Sequence, residues 1–156
     1  MPGSLSVIDY PITVVELEFL RQLVKSGAEF MVVGMSSAVL QGADVGTKDI
    51  DLWFATTSDD RLAEAARSVG GTFIWRANPP CLDGEALNRF DVVVRMDGLG
   101  SFQEEYRNAI DCPIDDFTVK LLPIDRVIAS KTASGREKDR AALPALLASC
   151  KAKTYL

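Results

Sequence analysis

Three aspartates carry the most suggestive chemistry in this sequence. Asp49 and Asp51 flank Ile50, fifteen residues after Gly34-Met35-Ser36-Ser37, and Asp91 stands in a second apolar run, Phe90-Asp91-Val92-Val93-Val94. Acidic residues are poor strand formers and are rarely buried without a partner. Carboxylates set into strand-like apolar sequence therefore point to a bound cation, and a divalent metal carrying a nucleoside triphosphate is the expected one. Alternation along a strand turns Asp49 and Asp51 to one side and Ile50 and Leu52 to the other, with α-carbons of the two acids roughly 6.7 Å apart. A neighbouring strand about 4.8 Å away would bring Asp91 to the same place. Two bare carboxylates ~4 Å apart repel by about 4 kcal/mol at an effective dielectric near 20, so such a site holds a proton or a cation. Magnesium prefers oxygen ligands and bridges carboxylates to substrate phosphates.

Other residues could serve the same chemistry. Gly34 allows close backbone approach, and Ser36 and Ser37 offer hydroxyls at a helix start, where free amides favour phosphate. No Gly-Lys-Ser/Thr follows, so this is not a Walker loop. A plain strand-to-helix turn explains the segment equally well. Lys131 lies seven residues after Ile124 on the stripe formed by Ile124, Val127 and Ile128. Its ammonium either reaches a buried anion or returns to the surface over a packed stem. Trp53 shares the acidic face by alternation and could stack on a base, although a core role suits it better. Arg136, Lys138 and Asp139 read as ordinary surface charges after Gly135.

The elements that must position these groups follow from pattern. Thr13-Val14-Val15-Glu16 is a capping box opening a helix over about 13–26, with Gly27 as its stop. Phe30 to Val33 reads as a buried strand, Ser36 to Gln41 as a brief helix, and Asp49 to Ala55 as the next strand. Leu62, Ala65, Ala66 and Val69 mark a helix ending at Gly70-Gly71. Strands are expected over Thr72 to Arg76, Leu87 to Arg95 and Phe117 to Leu122, with a loop at Pro79-Pro80. Phe102 to Ile110 reads as a helix. Two helices close the chain, and Pro144 either kinks the last or starts a new one. Alternating helices and strands imply an α/β fold, a mixed β-sheet flanked by helices.

Bulk properties narrow the options. The chain has 156 residues, 47% of them hydrophobic, which suits one domain with its own core. No apolar run reaches the ~18 residues of a membrane span, and Met1 to Ser6 shows no secretory pattern, so a cytoplasmic protein is expected. Cys81, Cys112 and Cys150 suggest neither a disulfide framework nor a metal motif. Histidine is absent, which removes imidazole bases, Ser-His-Asp triads and histidine-ligated zinc. The net charge of −5 argues against broad nucleic-acid binding, while leaving room for a nucleic-acid acceptor at a local basic patch.

Together, the glycine–serine turn, the acidic pair and the third acid resemble the nucleotidyltransferase superfamily with a polymerase-beta-like core. The segment from Leu122 to Asp139, including Lys131 and Arg136, is similar to the C-terminal signature of small bacterial members linked to abortive-infection and toxin–antitoxin systems. The resemblance covers about residues 28–147. It implies a minimal nucleotidyltransferase-like fold in a single domain and a Mg2+ cofactor held by Asp49, Asp51 and Asp91. It also implies nucleotide contacts from Gly34, Ser36, Ser37 and Lys131, and a toxin or antitoxin partner protein. The expected activity is transfer of a nucleoside monophosphate from a nucleoside triphosphate to a hydroxyl. Met35 and Val45 stand where relatives carry a small residue and an arginine. They motivate an alternative, a catalytically silent member that binds a nucleotide or a toxin. A phosphatase of the haloacid-dehalogenase type also uses D-x-D, but Leu52-Trp53 follow where Asp-Gly-Thr would be needed.

Overall fold

A computed structural model of the chain describes residues 12–154, with side chains described for 12–150. The N-terminal stretch read above for targeting lies outside the described residues. Helix α1 spans Val14–Lys25 and begins with the expected capping box: Glu16 N donates to Thr13 Oγ1 (3.1 Å) and Thr13 N donates to Glu16 Oε1 (2.9 Å). Strand β1 (Phe30–Val33) runs directly into helix α2 (Gly34–Leu40). Strand β2 is Ile50–Phe54, followed by helix α3 (Arg61–Ser68) and a hairpin of β3 (Thr72–Ile74) and β4 (Cys81–Asp83). Strand β5 (Phe90–Val93), helix α4 (Phe102–Tyr106), strands β6 (Ile110–Ile114) and β7 (Phe117–Leu121), and helices α5 (Ile124–Ser134) and α6 (Glu137–Thr154) complete the order.

The fold is α/β, with a five-stranded mixed sheet ordered β5-β2-β1-β7-β6 and flanked by helices. Strand β1 is central, antiparallel to β2 and parallel to β7; β2 is parallel to β5, and β6 antiparallel to β7. Alternation splits the core in two. Ile50, Leu52 and Phe54 turn to one face with Phe19, Leu20 and Leu23 of α1 and Leu62, Ala65 and Ala66 of α3. Met31, Val33 and Trp53 turn to the other, against Ile124 and Val127 of α5 and Leu146 of α6. Burying apolar side chains on both faces is the main stabilising contribution, at about 25 cal/mol per Å² of apolar surface.

Several sequence expectations are corrected here. Strand β6 is unanticipated because Pro113 argues against a central strand, yet a proline is tolerated on the sheet edge where β6 lies. The region from Thr72 to Asp83 pairs as a two-stranded hairpin rather than a strand and loop. Asp49 falls just before β2, and the helix expected to reach Ile110 stops at Tyr106 because the chain turns into β6. Pro144 sits inside one uninterrupted helix, α6. Among the described residues no helix is long and apolar enough to cross a membrane.

Candidate functional site

Strand register decides where the acids meet. In the parallel pairing of β2 and β5, Asp51 lies directly opposite Asp91, and Val33 lies opposite Asp51 on the other side. Gly34 follows Val33 in a left-handed conformation (φ 63°), and a Cβ added there would overlap Oδ2 of Asp51. A glycine at this position is therefore required by the carboxylate itself, as well as by the backbone turn. The two carboxyls are near enough for the charge of Asp91 to bear on Asp51.

The electrostatics follow from this crowding. Burial pushes the Asp51 carboxyl up to about 6, and the charges of Asp91 and Asp49 add to it while Lys131 opposes it. Burial also raises Asp91, with the charge of Asp49 acting in the same direction and Lys138 against it. Asp49 is exposed and contributes through its field. Among the described residues, no three acidic, histidine or cysteine side chains are gathered to hold a metal ion. The expected three-carboxylate cup thus becomes a two-carboxylate pair with Asp49 beside it. A pair is still a suitable donor set for magnesium, which commonly takes one or two carboxylates and completes its shell with phosphate oxygens and water.

The pair faces a cleft of about 330 Å³. Its strand side is formed by Gly34, Asp51, Asp91, Val93, Arg95, Met96 and Asp97, and its helix side by Ser130, Lys131, Ser134 and Arg136. Of the residues singled out from the sequence, Gly34, Asp51, Asp91 and Lys131 line this one cleft. Lys131 is largely buried, its side chain 16% exposed, and its Nζ lies 3.1 Å from Oδ1 of Asp139. The reading in which Lys131 reaches an anion is the one realised.

Ser36 and Ser37 occupy different places from those expected. Both are fully buried and neither lines the cleft. Ser36 Oγ donates to Val33 O (2.7 Å) and accepts from Asp51 N (3.1 Å), so it fixes the backbone at Asp51. Ser37 Oγ donates to Leu122 O (2.6 Å), where Gln41 Nε2 also donates (2.8 Å). That carbonyl lies where β7 hands over to α5, the helix carrying Lys131. Buried hydroxyls need partners, and here satisfying them locks both sides of the cleft to α2. Trp53 is core, edge-on to Phe102 with ring centroids 5.6 Å apart. Met35 and Val45 pack against the apolar clusters and do not line the cleft.

Sequence reasoning missed Arg95 and the charges after Gly135. Arg136 lines the cleft, Lys138 acts on Asp91, and Asp139 is only 1% exposed. Burial would raise the Asp139 carboxyl, but hydrogen bonds from Ser134, Arg136 and Lys131 hold it down to about 2. Gly135 ends α5 in the left-handed conformation, so α6 starts in a new direction and brings Asp139 back to Lys131. The available signal was that glycine stop, with a hydroxyl before it and an acid in the next helix's first turn. Comparison with models of known protein families finds no match, and comparison with curated proteins finds none either.

Proposed function

We propose that the chain is a magnesium-dependent nucleotidyltransferase that moves a nucleoside monophosphate from a nucleoside triphosphate to a hydroxyl acceptor. One observation carries this reading: two facing carboxyls, pushed upward and held in register, share a cleft with Arg95, Lys131 and Arg136. Anionic and cationic groups in one cleft suit a ligand that is itself a cation–polyphosphate complex. Asp51 and Asp91 would hold magnesium, which when bound supplies charge neutralisation of the phosphates and a lowered pKa for an attacking hydroxyl. Lys131 would bind the phosphates from the helix side, and Arg95 and Arg136 would orient them. Gly34 leaves room for the Asp51 carboxylate at the bottom of the cleft. The resemblance to small bacterial members extends the proposal to a toxin or antitoxin partner.

The test uses purified full chain, magnesium, each α-labelled nucleoside triphosphate and cell extract, and follows label into macromolecules and metabolites. Asp51→Ala should reduce incorporation by roughly 100-fold or more, the usual cost of removing a group that stabilises transition-state charge. Incorporation at the unsubstituted level with that variant would overturn the reading. A second reading is a catalytically silent nucleotide- or toxin-binding protein, favoured by the position of Asp49 outside β2. It requires magnesium-dependent nucleotide binding with no label transferred.

A further inference from the structure

The cationic side of the cleft rests on a carboxylate that does not itself line it. Asp139 is buried behind Lys131, Ser134 and Arg136, each of which does. Its Oδ1 takes Lys131 Nζ at 3.1 Å, and its Oδ2 takes Arg136 Nε at 2.8 Å and the Ser134 hydroxyl. Both oxygens are thus committed to groups on the cleft surface. Lys131 is the pivotal one, because its ammonium is pulled two ways. It acts on Asp51 from one side and pairs with Asp139 on the other. A lysine stem is long and flexible, so an ammonium with only the Asp51–Asp91 pair to attract it would settle there and neutralise the site.

We propose that Asp139 is the positioning residue of this cationic wall, holding Lys131 and Arg136 for the phosphates of a nucleoside polyphosphate and keeping the Lys131 ammonium off the Asp51–Asp91 pair. The inference rests on the reading of the cleft as a site for magnesium and polyphosphate. It adds which groups grip the phosphates and what holds those groups in place. The two possible influences of Asp139 have opposite signs. As a mere negative charge beneath an anion site it weakens polyphosphate binding, so its removal would tighten binding. As a positioning group it strengthens binding, so its removal loosens it.

The experiment measures binding of magnesium tripolyphosphate to the full chain by calorimetry, for the unsubstituted protein, Asp139→Asn, Lys131→Met and the double variant. Asp139→Asn should weaken binding about tenfold, the scale of one charge-assisted hydrogen bond. Lys131→Met should weaken it at least as much, and the double variant should lose less than the sum of the two single losses, because groups acting through one another are not additive. Asp139→Glu, which retains the charge, should recover part of the loss. If Asp139→Asn does not fold, Ser134→Ala serves instead, with a smaller loss that is reduced again in the Lys131→Met background. Unchanged or tighter binding by Asp139→Asn or Ser134→Ala, additive losses, or no binding by the unsubstituted protein would overturn the proposal. Coupled binding without any nucleotide transfer would leave it standing while removing the transferase reading.

Discussion

Buried and half-buried acids in this protein meet two fates. Glu16, 4% exposed, is gripped at both oxygens by Arg89, whose Nε and Nη2 donate at 2.9 and 2.6 Å. Glu105, 6% exposed, is held in the same two-pronged way by Arg126 at 2.9 and 2.8 Å. Burial would raise Glu16, but Arg89 and the Thr13 cap outweigh it and its carboxyl falls below the ordinary range. For Glu105 the hydrogen bond from Arg126 dominates and lowers it too. Asp51 goes the other way, to about 6, because burial raises it and its partner across the sheet is another carboxyl rather than an arginine. Where an acid only joins elements, the fold supplies an arginine; at the cleft it supplies a second acid. On the proposed function, that contrast marks the place where compensation is left to a ligand.

The two settings also cooperate. Arg89 immediately precedes the strand that carries Asp91, and its carbonyl accepts from Ile50 N at 2.7 Å. The Glu16–Arg89 pair therefore secures the register that sets Asp91 opposite Asp51. Arg89→Ala should break the comparison hardest, leaving a buried carboxylate without its arginine and lowering unfolding free energy by about 3–5 kcal/mol in urea titrations. Gly34→Ala attacks the other setting, since a methyl would meet Asp51 in a left-handed backbone conformation. A loss of about 2 kcal/mol is expected from the backbone term alone, with magnesium binding weakened as Asp51 is displaced.

Asp51→Asn should have the smallest effect and the opposite sign, stabilising the metal-free protein by about 1–2 kcal/mol at pH 8 through relief of repulsion and burial of charge. The pH dependence sharpens the point. Asp51 has a folded pKa near 6 against an ordinary 3.8, so the folded state binds more protons between these values. Its contribution to stability falls as pH rises from about 4 through 6, and the gain from Asp51→Asn should open over the same window and then level off. Magnesium should raise the melting temperature of the unsubstituted protein above pH 6 and do much less for Asp51→Asn. Parallel melting curves for the two proteins across this range would refute the assignment of Asp51 as the strained acid.

Local pattern carried the sequence reading a considerable distance. Thr13 and Glu16 announced a helix start because a capping box needs only four consecutive residues. The acids at 51 and 91 stood out because each interrupts an apolar strand. Other features were legible in type but not in role. Ser36 and Ser37 look like phosphate ligands until their hydroxyls are seen engaged with Val33, Asp51 and Leu122. Pro113 concealed β6, because only sheet order reveals that this strand lies on an edge. Asp139 looked like a surface charge, since its burial depends on how α6 folds back after Gly135.

The chain alone determined the α/β layering, the absence of histidine chemistry and the presence of acids on strands, because periodicity, composition and caps act over a few neighbouring residues. Tertiary structure decided which acids are compensated. It set Asp51 against Asp91 by strand register, and Glu16 against Arg89 across 73 positions of sequence. It also turned Asp139 from an apparent surface charge into the buried anchor of Lys131. A charge responds to whatever lies within a few ångströms, and for these residues those neighbours are brought together by the fold rather than by the order of the chain.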